Sequence, residues 1–391
     1  MKNIILPIVC ILSFLFIDGA VVSIKKVPKK ELSELRVIYI SYLEYQSNFL
    51  GNSKTINETK IDKMIDNVKE LNFNCILLHV SPFSDAIYNS KYFPYTSTLT
   101  GVEGKYPGFD YLEYFIKKAH QKGIEIHAWI NPYRISSNND TSKLNENNPA
   151  YSLLETSHVG INKSGIYYNP ASEIVKNLII NQVKEIINNY NVDGIHFDDY
   201  FYIQNDIDSN EYKNYLNNGG NMSLKEFRLY HTNDLIKRVY KVIKDIDNNI
   251  IFSISPDGNI NNNYNYHYAD IKRWLSSSEY VDIIMPQIYY GFDNEYKPFI
   301  ETFDEWQKVI INDKIKLVPI LAFYKTGNID DNAGSGKHEW EKSSDIIKRQ
   351  IDYVRSNKAY GVGLFRYDFL FNKNYLNENS KNELINVKSI M

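Results

Sequence analysis

Two adjacent carboxylates, Asp198 and Asp199, close the apolar run Val192 Asp193 Gly194 Ile195 His196 Phe197, with Tyr200 directly after them. Side chains on a strand alternate faces. His196, Asp198 and Tyr200 therefore share one side, and Phe197 and Asp199 the other if the strand stays regular that far. Such a pair suits acid/base work, one carboxyl giving a proton while the other acts as nucleophile or base. The structural use of the same pair is to cap the next helix or to bond an arginine. The choice between the two depends on the elements around it.

Those elements alternate. Short β-branched runs occur at 36–42, 75–80, 124–130, 194–198, 250–255, 281–288, 316–323 and 361–365, apolar at nearly every position as parallel strands buried on both faces should be. Amphipathic stretches at 61–71, 111–122, 173–190, 224–246, 298–311 and 345–356 fall between them. In 173–190 the stripe Ile174, Leu178, Val183, Ile186 and Ile187 keeps helical spacing. Gly123 follows one helix in the place of a left-handed stop, and Ser223 N-caps another. Eight strand–helix units predict an α/β chain with a single (β/α)8 TIM barrel, carrying long loops after strands 2, 3 and 4. An open doubly wound sheet would show a Gly-rich phosphate turn after its first strand, and Ser41 Tyr42 Leu43 Glu44 Tyr45 is not one.

The domain reading is a secretory signal at 1–23, a Lys-rich linker at 24–35, the barrel at 36–371 and a polar C-terminal tail at 372–391. The signal rests on Lys2, the uncharged run from Ile4 to Ile17 and the small residues Gly19 and Ala20. It implies a secreted or cell-surface protein, the uncleaved anchor being the alternative. Cleavage would remove Cys10 and leave Cys75, which reads as core packing, so the mature chain makes no internal disulfide. A formal net charge of -3 over 391 residues gives no electrostatic reason for a nucleic-acid partner or for membrane binding beyond the export signal. The chain has 32 tyrosines, and aromatic faces suit sugar rings.

In a barrel of this kind the chemistry sits at the carboxyl ends of the strands. Those ends give a polar ring: Tyr42 and Glu44, His79 and Ser81, His127 to Arg134, His196 to Tyr200, Ser255 and Asp257, Gln287 and Tyr289, Tyr324 and Lys325, Arg366 and Asp368. Carboxylates, aromatics and amides are the mixture that glycosidic cleavage needs, and His79 and His196 are expected to line the substrate cleft with them. No cofactor and no metal is expected. A metal hydrolase using His79, His127, His196 and Asp198 is the lesser alternative.

The chain also resembles a known family. Pro82 to Tyr88, Tyr92 Phe93 Pro94, Leu99 Thr100 Gly101, Pro107 to Asp110, His127 to Arg134, Asp193 to Tyr202 and Pro286 to Tyr289 are similar to the motifs of the glycosyl hydrolase-like 10 proteins of bacteria. The resemblance implies a barrel exported to the cell envelope that hydrolyses a glycan, with peptidoglycan strands as the polysaccharide partner. It also implies catalytic carboxylates at Asp198 and Asp199, with Asn131, Tyr133, Arg134, Tyr200, Gln287 and Tyr289 in the cleft. Arg134 is read either as a clamp for a carboxylate-bearing sugar or as the charge that keeps Asp199 ionised. Ser81, Ile203 and Asp257 depart from the family pattern. Two alternatives remain: a chitinase-like, substrate-assisted N-acetylhexosaminidase in which Asp198 orients the acetamide, and a glycan-binding barrel without catalysis.

Overall fold

The structure is a computed structural model that describes residues 33–203 and 206–391. The expected signal and most of the expected linker lie outside the described residues. Leu35, assigned to the linker, already opens the first strand. The eight strand positions are β1 Leu35–Ile40, β2 Cys75–Ser81, β3 Glu125–Ile130, β4 Gly194–Phe197, β5 Ile251–Ile254, β6 in two pieces (Ile283–Ile284 and Gln287–Ile288), β7 in two pieces (Lys316–Leu317 and Ile320–Leu321) and β8 Gly361–Leu364. Each pairs in parallel with the next. The last pairs with the first, Leu35 opposite Gly361, which closes the ring.

Proline breaks β6 and β7. Pro286 and Pro319 stand between the pieces and have no N–H to give the ladder. Their carbonyls still accept, from Ile320 and Gly363 at 2.9 Å each, so the barrel stays continuous there.

The six expected helices form, over Lys54–Glu70, Tyr111–Gln121, Glu173–Asn189, Leu224–Ile246, Phe299–Val309 and Ile346–Ser356. Ser223 caps Leu224–Ile246 in a reciprocal capping box with Glu226. Gly123 takes φ +69° just past the helix 111–121. The stripe on 173–189 is shifted from the expected one: Val175, Ile179, Val183, Ile186 and Ile187 are buried, while Ile174 is 53% exposed.

The long connections carry structure of their own. After β1 a short helix, Tyr42–Asn48, starts on Ser41 and Glu44. After β3, Arg134–Ser136, Val159–Asn162 and Gly165–Tyr168 form a small antiparallel sheet. Residues 372–391 are not a free tail, because Glu378–Lys388 is a helix that packs on the helix 346–356. No helix among the described residues is long and apolar enough to cross a membrane.

Candidate active site

Inward positions on a barrel strand recur every second residue, about 6.6 Å apart. On β3 the outward residues Ile126, Ala128 and Ile130 join the core under the helices. Trp129 instead meets Tyr39 of β1 inside the barrel, at a ring-centroid distance of 5.3 Å. On β4, His196 lies one layer below Asp198. Depth decides what each side chain can do.

Asp198 is only 3% exposed. Its Oδ2 accepts from Trp129 Nε1 at 3.3 Å, and its Oδ1 from the Tyr200 N–H at 3.2 Å. The same indole donates to Asn131 Oδ1 at 3.1 Å, so Asn131 holds the tryptophan that holds the acid. Burial, and then the charge of Asp199, push the Asp198 carboxyl well above the usual carboxylate range, against weaker opposing effects of the Tyr200 N–H, Arg134 and Trp129. Asp199 is half-buried. It too is pushed up by burial, with Asp257 acting the same way and His267 and Gln287 opposing. Burial and the neighbouring charge thus favour the protonated form more strongly at Asp198 than at Asp199.

The surroundings also divide. On the Asp198 side, the Arg134 guanidinium lies between the rings of Phe83 and Tyr200, 4.8 Å from each centroid. Its charge favours ionised Asp198. On the Asp199 side, Asp257 bridges to Gln287 through the backbone, accepts from the Asn259 N–H at 2.6 Å and stands 4.0 Å from His267 Nε2. Gln287 also donates through Nε2 to the Ser255 carbonyl at 3.0 Å. Tyr289, half-buried, packs edge-on to Tyr324 at 5.6 Å and beside Phe365. These rings form an aromatic wall at the mouth.

Eight of the ten expected site residues therefore gather at the mouth or directly beneath it: Asp198, Asp199, His79, Asn131, Arg134, Tyr200, Gln287 and Tyr289. His79, though buried, stacks on Trp129 at 3.6 Å beside Asn131 and Arg134. Two lie elsewhere. His196 is sealed beneath the acids, bonded to Ser253 Oγ at 2.8 Å and Tyr39 Oη at 3.3 Å. Tyr133 is buried, and its phenol feels the charges of Asp234 and Glu173 on the outer helices. The alternative set His79, His127, His196 and Asp198 is spread over several layers and forms no metal-binding group.

Glu44, Arg366 and Asp368 satisfy one another. Glu44 pairs with Arg366 and accepts the Asp368 N–H at 3.1 Å, which makes them a buried clasp between β1 and β8. The sequence reading did not single out Trp129 or His267. Trp129 was recoverable, since it occupies the next inward position after His127. His267 lies in a loop and left no periodic signal.

The chain has known relatives. Residues 34–335 match the model of the family described as glycosyl hydrolase-like 10. Glycosyl hydrolase YngK of Bacillus subtilis is 29% identical over 353 residues, 84% of this chain and 68% of that protein. Glycosyl hydrolase DigH of Escherichia coli K12 is 30% identical over 350 residues, 83% and 78% of the two chains. The solved PgaB (BpsB) glycoside hydrolase domain from Bordetella bronchiseptica superimposes with a TM-score of 0.64 at 13% identity, covering 92% of this chain and 99% of that one. The catalytic domain of β-amylase from Paenibacillus polymyxa does so at 0.56 and 9%, covering 91% and 98%. At those identities the two structures speak for the barrel fold.

Proposed function

Given that this chain belongs to the glycosyl hydrolase-like 10 family, we propose that it hydrolyses a glycosidic bond in a bacterial envelope polysaccharide, with peptidoglycan glycan strands as the substrate class. The carboxyl pair on β4 carries the reading. Asp198 keeps its proton in a dry setting under Trp129 and gives it to the leaving oxygen. Asp199, the less strongly raised of the two, acts at the same mouth on the sugar as nucleophile or through a water. Tyr200 and Tyr289 offer ring faces to the sugar, and Arg134 offers a cation to a carboxylate-bearing one. The basic, apolar and small-residue run at the start of the chain supports export to the envelope.

The test is release of reducing ends from purified glycan strands by the wild type and by Asp198→Asn. Loss of a general acid is expected to lower the rate by about 10²- to 10⁴-fold. Equal rates would overturn the role of Asp198. Binding without release by the wild type, on any N-acetylated glycan, would replace hydrolysis by glycan binding.

A further inference from the structure

We infer that the amino-terminal floor of the barrel is a binding site for a divalent transition metal of the zinc class, built from Cys75, Glu125 and His127. Strand register creates it. β2 and β3 pair with Cys75 opposite Glu125 and Leu77 opposite His127, so all three donors reach one inward face at the end of the barrel remote from Asp198. One ligand atom from each, the Cys75 Sγ, a Glu125 carboxylate oxygen and a His127 ring nitrogen, lie within 4.8 Å of one another. Around zinc, with bonds of about 2.0–2.3 Å, neighbouring ligand atoms stand roughly 3.4–3.8 Å apart. A contraction of about one ångström closes the site.

His127 is an independent pointer. It is fully buried, neither ring nitrogen has a hydrogen bond, and Nε2 lies 3.4 Å from the Glu125 carboxylate. A buried imidazole left without hydrogen bonds costs free energy, which a metal bond would recover. Gly194 of β4 sits beside it in the sheet, and a Cβ there would meet the ring at 2.7 Å. The glycine makes room for this imidazole. Thiolate, imidazole and carboxylate together suit Zn(II) or Co(II) better than Mg(II) or Ca(II). Glu125 keeps a partly exposed side chain, 14%, which gives an ion a way in from the floor. At this face a metal ties β2 to β3 and stabilises the barrel.

The experiment uses full-length protein stripped with a chelator and titrated with Co(II). The expected result is one equivalent bound, with a thiolate-to-cobalt charge-transfer band that Zn(II) displaces. Cys75→Ser abolishes the band, whereas Cys10→Ser keeps it. No band in the wild type, or a band that survives Cys75→Ser, overturns the inference. Should Cys75→Ser fail to fold, the wild type decides by itself: one equivalent of Zn(II) must raise its Tm and slow alkylation of Cys75 at least tenfold. If both are unchanged, the inference is overturned and the floor holds only the His127–Glu125 contact.

Discussion

Asp198 and Asp199 are neighbours in the chain but face different surroundings, and that difference sets their chemistry. Asp198 is enclosed by Trp129 and the Tyr200 backbone, whereas Asp199 faces Gln287, His267 and Asp257. A carboxyl whose folded pKa exceeds its unfolded value, about 3.9 for Asp, keeps a proton that the unfolded chain releases. Stability therefore falls as pH rises from that value towards the raised one. Asp198→Asn removes this linkage. The variant is expected to melt above the wild type at pH 7, with the gap narrowing at pH 4. Equal melting temperatures at both pH values would mean that Asp198 ionises freely in the folded state. At this scale the sequence named both acids, together with Arg134, Gln287 and Tyr289. It did not foresee how deep His196 and Tyr133 lie, because residue type and strand parity do not reveal depth.

The elements were legible wherever a hydrophobic period ran long enough. The helix Leu224–Ile246 was recovered at both ends, since Ser223 and Glu226 mark its start chemically and Asp247 ends it in extended backbone. The small sheet after β3 was not recovered, because strands of three and four residues carry too little alternation to stand out from a loop. Gly194 shows how one element constrains another. Its hydrogen on β4 leaves space for the His127 ring on β3. Gly194→Ala forces that ring aside in a packed interior and should cost about 1–3 kcal/mol. The check is a lower denaturant midpoint at unchanged m-value; an unchanged midpoint would mean that the imidazole moves freely.

For the described molecule, from Ser33 onward, the C-terminal residues tie into the elements beside the closed ring. The Arg355 Nε donates to Glu34 Oε1 at 2.7 Å, and its Nη1 donates to the Ile390 carbonyl at 2.6 Å. Glu383, on the C-terminal helix, accepts the Lys348 N–H at 2.9 Å, and the Ile347 and Ile346 N–H groups also favour its charge. It thereby caps the helix 346–356, whose own Asp345 makes no side-chain cap. Burial nevertheless pushes the Glu383 carboxyl up to about 7. Glu383→Ala is expected to cost about 1–2 kcal/mol, the range for a lost N-cap. Lys381→Ala, on the exposed side of the same helix, should stay within about 0.5 kcal/mol. Equal melting of the two variants would mean that the C-terminal helix does not brace the barrel. By itself the sequence determined the eight strands, six of the helices between them and the position of the acid pair at the end of the fourth strand, because hydrophobic period and strand-end position are local properties. Only the tertiary structure decided which side chains reach the mouth, which are sealed below it, and that residues 372–391 fold onto the barrel. Register between strands sets depth and partners, and register belongs to the closed ring as a whole.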